Sequence, residues 1–315
     1  MNQRARHALI ITTVLALLAG CASSPPAPTG SDPLSQQATA APPTTQAPSP
    51  AAAPTAHADH TAVSTGAPTA QNDQGPCGTS QPIDLAKYGG QGFANPDELV
   101  SQNGLLETTL SINYTSQSAT SIAGCPVHLR VYNNKLIGPT LRAKPGDTLR
   151  ITLDNMLPLN PITTTHDLDT PHDFNTTNLH THGLHVSPVG NSDNVLLEIQ
   201  PQTTFEFEIK IPPDHPPGTY WYHPHNHGST ALQVSSGMEG ALIIEGGLDD
   251  VPAIKAATEQ IMVFQQIPYD QSGEIESYDN FGPCAWEPMN REHTINGQLY
   301  PTISMHPCEV QRWPI

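Results

Sequence analysis

The run Phe205-Glu206-Phe207-Glu208-Ile209-Lys210-Ile211 alternates apolar and charged side chains without a break. Successive side chains of an extended strand point to opposite faces, so the run gathers its rings and isoleucines on one side and its charges on the other. Leu149-Arg150-Ile151-Thr152-Leu153 repeats the pattern. Leu105 to Tyr114, Val127 to Tyr132, Ala241 to Glu245 and Gln260 to Gln265 show it more weakly. Turn signals such as Gly138-Pro139 and Pro145-Gly146-Asp147 separate these runs. No amphipathic helix of three or more turns stands out. The chain holds 33 Pro, about twice the usual share, which argues against an all-helical fold. The pattern predicts an all-β protein with one sandwich over residues 100–247. Residues 253–315 begin a second strand series, but are too few for another sandwich of about 100 residues.

The N-terminal third reads differently. A short basic start with Arg4 and Arg6, then apolar Leu9 to Leu18, has the form of a secretory signal. The apolar run is shorter than the roughly 20 residues a membrane span needs. Leu18-Ala19-Gly20-Cys21 resembles a bacterial lipobox, which implies cleavage after residue 20 and lipidation of Cys21. The expected location is outside the cytoplasm, lipid-anchored to a bacterial membrane and facing the periplasm or the cell exterior. Residues 21–99 make a Pro/Ala/Thr-rich tether and lead-in, too poor in large apolar side chains at its start to offset its ordering entropy. His57, Asp59 and His60 fall in it as solvated residues. The remaining cysteines are Cys77, Cys125, Cys284 and Cys308, and an exported protein permits disulfides among them. A Cys77–Cys125 link is the favoured pairing, although spacing does not give connectivity. Lys and Arg total 12 against 29 Asp and Glu, a net charge of −17 that speaks against nucleic-acid binding. Losing Arg4 and Arg6 with the leader takes the charge to −19.

There are 15 His, nine of them between His166 and His227. His180-Thr181-His182 and His223-Pro224-His225 both place imidazoles at i and i+2, hence on one face of a strand. If the two strands lie side by side, four imidazoles converge. Neutral imidazole suits Cu, Zn, Fe and Ni, and a site without nearby thiolates or several carboxylates favours copper or zinc. His185 has the opposite parity and should face away. His227 has the parity of His225, but Gly228 follows, which puts it beside the site or in an access channel. His166, His172, His215, His293 and His306 sit in loops and read as structural or exposed. Trp221, Tyr222 and Met238 read as packing residues.

Asn178-Leu179-His180-Thr181-His182-Gly183-Leu184 and Gly218-Thr219-Tyr220-Trp221-Tyr222-His223-Pro224-His225 resemble the first two copper motifs of multicopper oxidases. Gly138-Pro139-Thr140-Leu141-Arg142, Pro145-Gly146-Asp147-Thr148 and the run Gly237 to Ile244 resemble the family's supporting text. Asn296 to Pro301 and Glu309 to Trp313 resemble the opening of its second domain. The resemblance implies a cupredoxin-like Greek-key β-sandwich followed by the incomplete start of a second one. It implies His180 as a type 2 copper ligand, His182 and His223 on one type 3 copper and His225 on the other. It implies reduction of dioxygen to water with electrons from a reducing substrate. Asp193 occupies the place of an acidic residue in the family, a candidate proton donor with catalytic weight. The chain departs from the family in having no His-Cys-His, the segment that carries the type 1 copper, and none of the motifs for the other four imidazoles. It is therefore expected to be a fragment, frameshift or split product. The expectation is a laccase-like oxidoreductase carrying half of its trinuclear site. The alternative is a truncated copper-binding lipoprotein without turnover, and a weaker third is a copper-free cupredoxin scaffold.

Overall fold

Leu149, Ile151 and Leu153 are fully buried while their neighbours are half-exposed, so the alternation read in the sequence is the inward and outward alternation of a real strand. The computed structural model describes residue 77 and residues 84–162, 170–275 and 290–315. The expected leader, Cys21, the first part of the tether with His57, Asp59 and His60, and also His166 and Cys284 lie outside the described residues. Sixteen strands are described: β1 Glu98–Val100, β2 Leu105–Tyr114, β3 Ser121–Ile122, β4 Cys125–Pro126, β5 Arg130–Tyr132, β6 Thr140–Ala143, β7 Thr148–Asn155, β8 His180–His182, β9 Thr203–Lys210, β10 Gly218–His223, β11 Gly240–Ile244, β12 Thr258–Glu259, β13 Phe264–Tyr269, β14 Asn290–Ile295, β15 Gln298–Leu299 and β16 Gln311–Arg312. The helices are short: α1 Leu85–Tyr88, α2 Thr230–Ser236 and α3 Pro252–Lys255.

Two sheets carry the fold. One has the order β5-β2-β7-β9, the other β1-β6-β11-β10-β8. Leu110, Ile112, Leu149, Ile151 and Phe207 from the first meet Leu141, Tyr222, Leu242 and Ile244 from the second in one core. Each fully buried side chain of this kind contributes on the order of 1.5–3 kcal/mol. The protein is all-β with a cupredoxin-like fold. Gly138 and Gly240 are needed where Tyr222 lies across the core, because a Cβ at either would overlap its ring or hydroxyl. The Tyr222 hydroxyl donates to the Pro139 carbonyl at 2.7 Å.

Two expected strands are shorter or shifted. Val127 to Tyr132 is strand only from Arg130, although Val127, Leu129 and Val131 keep the alternation and pack together in a second cluster with Ile122 and Ile267. Of Gln260 to Gln265 only Phe264 and Gln265 are strand, at the start of β13, and the backbone between β12 and β13 is tied by the Asn296 side chain at the Val263 N–H and the Ile261 carbonyl. Cys77 and Cys125 form a disulfide, the pairing expected from the sequence, and both are buried in that second cluster. Cys308 is a free, exposed thiol.

Candidate metal centre

Strand β8 is three residues long and lies at the edge of its sheet. Gly183 follows it with φ +86°, a conformation glycine adopts freely and L residues rarely. The chain turns away there and leaves His182 exposed. β8 pairs antiparallel with β10 in a register that sets His180 opposite His223 and His182 opposite Trp221. Because i and i+2 share a face, all four side chains emerge on one side. The ring centroids of His180, His182 and His223 lie 5.3–5.5 Å apart in each pair. One nitrogen of each falls within 4.8 Å of the others.

Hydrogen bonds decide which nitrogens are free. His180 Nδ1 donates to Asp193 Oδ1 at 3.0 Å, and the same oxygen accepts the Thr181 N–H at 3.0 Å. That arrangement leaves His180 Nε2 bare. His223 Nδ1 donates to the Pro224 carbonyl at 2.7 Å, which likewise frees its Nε2. That Nε2 stands 3.2 Å from His182 Nδ1. That spacing would let both nitrogens serve one ion. Burial, helped by the neighbouring imidazoles, pushes the His223 imidazole down to about 4, so it is neutral at pH 7, the form that ligates metal.

His225 lies just beyond the end of β10, with its ring 5.2 Å from that of His180. The pair His223 and His225 therefore does not sit on one strand as the spacing predicts. The chain leaves the ladder at Pro224, which has no N–H to offer it. The His225 N–H donates to the Asn178 side chain at 2.6 Å, and its Nδ1 is buried without a hydrogen-bond partner. An orphaned imidazole nitrogen beside three converging ones fits a ligand awaiting a cation.

The buried amides behind the histidines carry no weight in the sequence reading. Asn178 also donates to the Val195 and Leu197 carbonyls, at 2.9 and 3.0 Å. Asn226, Ser229 and Gln233 all reach the Thr176 carbonyl. Together they stitch the segment after β10 to the segment before β8. Their signal in the sequence is polar, uncharged side chains flanking both His-x-His pairs.

The remaining histidines fall mostly as expected. His185 turns away and its N–H donates to His215 Nε2 at 3.0 Å. His215 is buried, its other nitrogen bonded to the Pro216 carbonyl, and so is structural. His227 is exposed and is not one of the converging imidazoles. Met238 and Tyr222 are core residues. Trp221 does more than fill space, because its ring stacks on His223 at 4.0 Å and lies 5.1 Å from His182. The donor set is therefore imidazole with one carboxylate held behind it, which suits copper or zinc.

The multicopper oxidase family profile matches residues 114–248, which include β8, β10 and all four histidines. Over these residues the chain is similar to the multicopper oxidase family. It is similar to a multicopper oxidase of Staphylococcus aureus, 36% identical over 115 residues, 36% of this chain and 21% of that protein. It is similar to copper resistance protein A of Escherichia coli, 31% identical over 133 residues, 41% of this chain and 18% of that protein. The chain thus spans about a fifth of the length of these relatives. A solved multicopper oxidase from Campylobacter jejuni, a metallo-oxidase, superposes with a TM-score of 0.50 at 22% identity. It covers 70% of this chain and 42% of its own, and supports the cupredoxin-like fold.

Residues 114–248 include a further buried carboxyl, that of Glu239. Glu239 directly precedes Gly240, the partner of Tyr222, and its carbonyl accepts the Gly138 N–H. Glu239 is 8% exposed, and burial pushes its carboxyl up to about 7, against the opposing help of the Gln265 side chain.

Proposed function

We propose that His180, His182, His223 and His225 hold copper, with His180 in the type 2 position and the other three in type 3 positions. The observation that carries this reading is the convergence of three imidazole nitrogens within 4.8 Å on two paired strands. When bound, copper supplies one-electron redox chemistry. The chain's own residues prepare for it. Asp193 fixes the ring and tautomer of His180, the Pro224 carbonyl does the same for His223, and Asn178 holds the backbone of His225. Such outer partners orient ligands and raise their basicity. Asp193, as the acid beside the cluster, is also our proposed proton donor.

The reaction we propose is oxidation of a reducing substrate coupled to reduction of dioxygen to water, with these four histidines as copper ligands. The sequence given has four of the imidazoles and no His-Cys-His. The second reading is copper binding without turnover. We further propose export and lipid anchoring through Cys21, on the strength of Leu18-Ala19-Gly20-Cys21. Metabolic labelling with a fatty acid tests it, and unlabelled protein with its leader intact would rule it out.

The central test is titration of the purified chain with Cu(II), read by metal analysis and electron paramagnetic resonance. Bound copper with nitrogen hyperfine structure is expected, lost in His180→Ala with His223→Ala and retained in His227→Ala. The intense blue thiolate absorption should be missing and oxygen uptake with a phenol near zero. Equal copper binding by the double variant would defeat the assignment.

A further inference from the structure

Trp221 stacks on His223 with ring centroids 4.0 Å apart and planes 24° from parallel. It sits across the ladder from His182, whose ring lies 5.1 Å away and is tilted by 30°. Among the described ring contacts it meets no other histidine of the cluster. His180 packs against His182, His223 and His225, and His225 against His180 and His223. The indole is therefore directed at one pair, and that pair is the one with nitrogens 3.2 Å apart. The stack also completes what a hydrogen bond begins. The bond from His223 Nδ1 to the Pro224 carbonyl fixes one atom of the ring but lets the ring turn about that line. An indole lying on its face removes that freedom and so fixes the direction of Nε2.

We propose that Trp221 is a positioning residue for the ion shared by His182 and His223, and that it makes this position favour a divalent cation over Cu(I). The inference rests on the copper assignment above. An imidazole that ligates a cation takes on part of its positive charge, more from a doubly charged ion than from a singly charged one. The indole face is negative and attracts an electron-poor ring held against it, as it attracts a cation. Trp is the strongest of the aromatic residues in this respect, and desolvation strengthens the attraction. His223 is 5% exposed, so the stack lies largely out of water. A residue that merely filled the space would hold the ring equally well for either charge. No described ring contact gives His180 or His225 an aromatic partner outside the cluster, so the bias belongs to one position within it.

The test uses the full chain with its free thiols alkylated, because thiolates are soft ligands that would take Cu(I). Cu(II), Zn(II) and, in the absence of oxygen, Cu(I) are each titrated in competition with a chromogenic chelator. The signal left in His182→Ala with His223→Ala is subtracted as binding elsewhere. Trp221→Leu should weaken Cu(II) and Zn(II) about 5–10-fold and Cu(I) by less than about twofold. Trp221→Phe, with a smaller π face, should fall between Leu and wild type. Circular dichroism confirms that each variant is folded, and the Phe variant alone decides the matter if the Leu variant is not. An equal loss of all three ions would overturn the proposal, since that is the mark of a space-filling role. So would unchanged affinities in the folded variants. A wild-type chain that takes up no copper at these histidines defeats the copper reading and this inference with it. Copper binding with an unchanged preference between the two charges defeats the inference alone.

Discussion

One carboxylate oxygen of Asp193 accepts both the His180 ring and the Thr181 N–H. Removing it unties the ring and leaves a buried donor unpaired. Asp193→Ala should lower copper affinity about 10–100-fold, measured by competition with a chromogenic chelator. A larger share of the affinity should return in Asp193→Asn, whose amide oxygen still accepts the ring. Glu239 makes a prediction of a different kind. Folded, it holds its proton to about pH 7, whereas an unfolded glutamate releases it near 4.5. Between those values the native state binds the extra proton, so stability falls as pH rises and levels off above about 7. The loss attributable to this group is up to about 3 kcal/mol. Glu239→Gln should escape it. The melting temperatures of wild type and variant should coincide near pH 4 and diverge, in favour of the variant, as pH rises to 8.

Elements near the site are joined by side chains more than by ladders. β8 has three residues, and the segment after β10 has no strand partner at all. Asn178 closes that gap with three hydrogen bonds. Asn178→Leu should cost roughly 2–4 kcal/mol, a few buried groups at about 1–3 each with partial relaxation. It should weaken copper binding as well, and thermal melts with and without Cu(II) will separate the two effects. The disulfide acts on another element, pinning Cys77 to β4 across 48 residues. Cys77→Ser with Cys125→Ser should destabilise by about 2–4 kcal/mol, chiefly by releasing the unfolded chain. The strands themselves were legible in the sequence because burial on one face imposes a period of two, as at Leu149 to Leu153. The facing of His180, His182 and His223 was legible for the same reason. His225 was not, since parity holds only while the strand continues, and Pro224 ends it. Nor were Asn178 or Gln233, because a buried amide is chosen by partners distant in sequence, here Val195, Leu197 and Phe174, and no local pattern names them.

Across the whole described molecule, the second strand series is fastened to the first sandwich by charge. Arg142 of β6 is almost buried and pairs with Glu98 and Glu259, while Arg312 of β16 pairs with Glu259 and Asp249. Glu259 of β12 thus sits between two guanidinium groups. Arg142→Met should cost on the order of 3 kcal/mol, because it strands carboxylates that the fold has partly desolvated. The loss should appear as reduced urea resistance together with greater proteolysis around residues 258–264. The histidines pose a question of order in time. His180 and His223 become neighbours only when β8 and β10 pair, and 43 positions of chain separate them. No short segment carries a pocket for the ion. Closing that loop comes first, and closure of this length is slow relative to local turns. A chain emerging from the ribosome therefore presents no competent site until residue 223 has emerged and folded back. On the proposed assignment, copper that arrives afterwards would bind only the paired form and so hold the sheet edge shut. Metallation here would be the last act of maturation and, at the same time, its quality check.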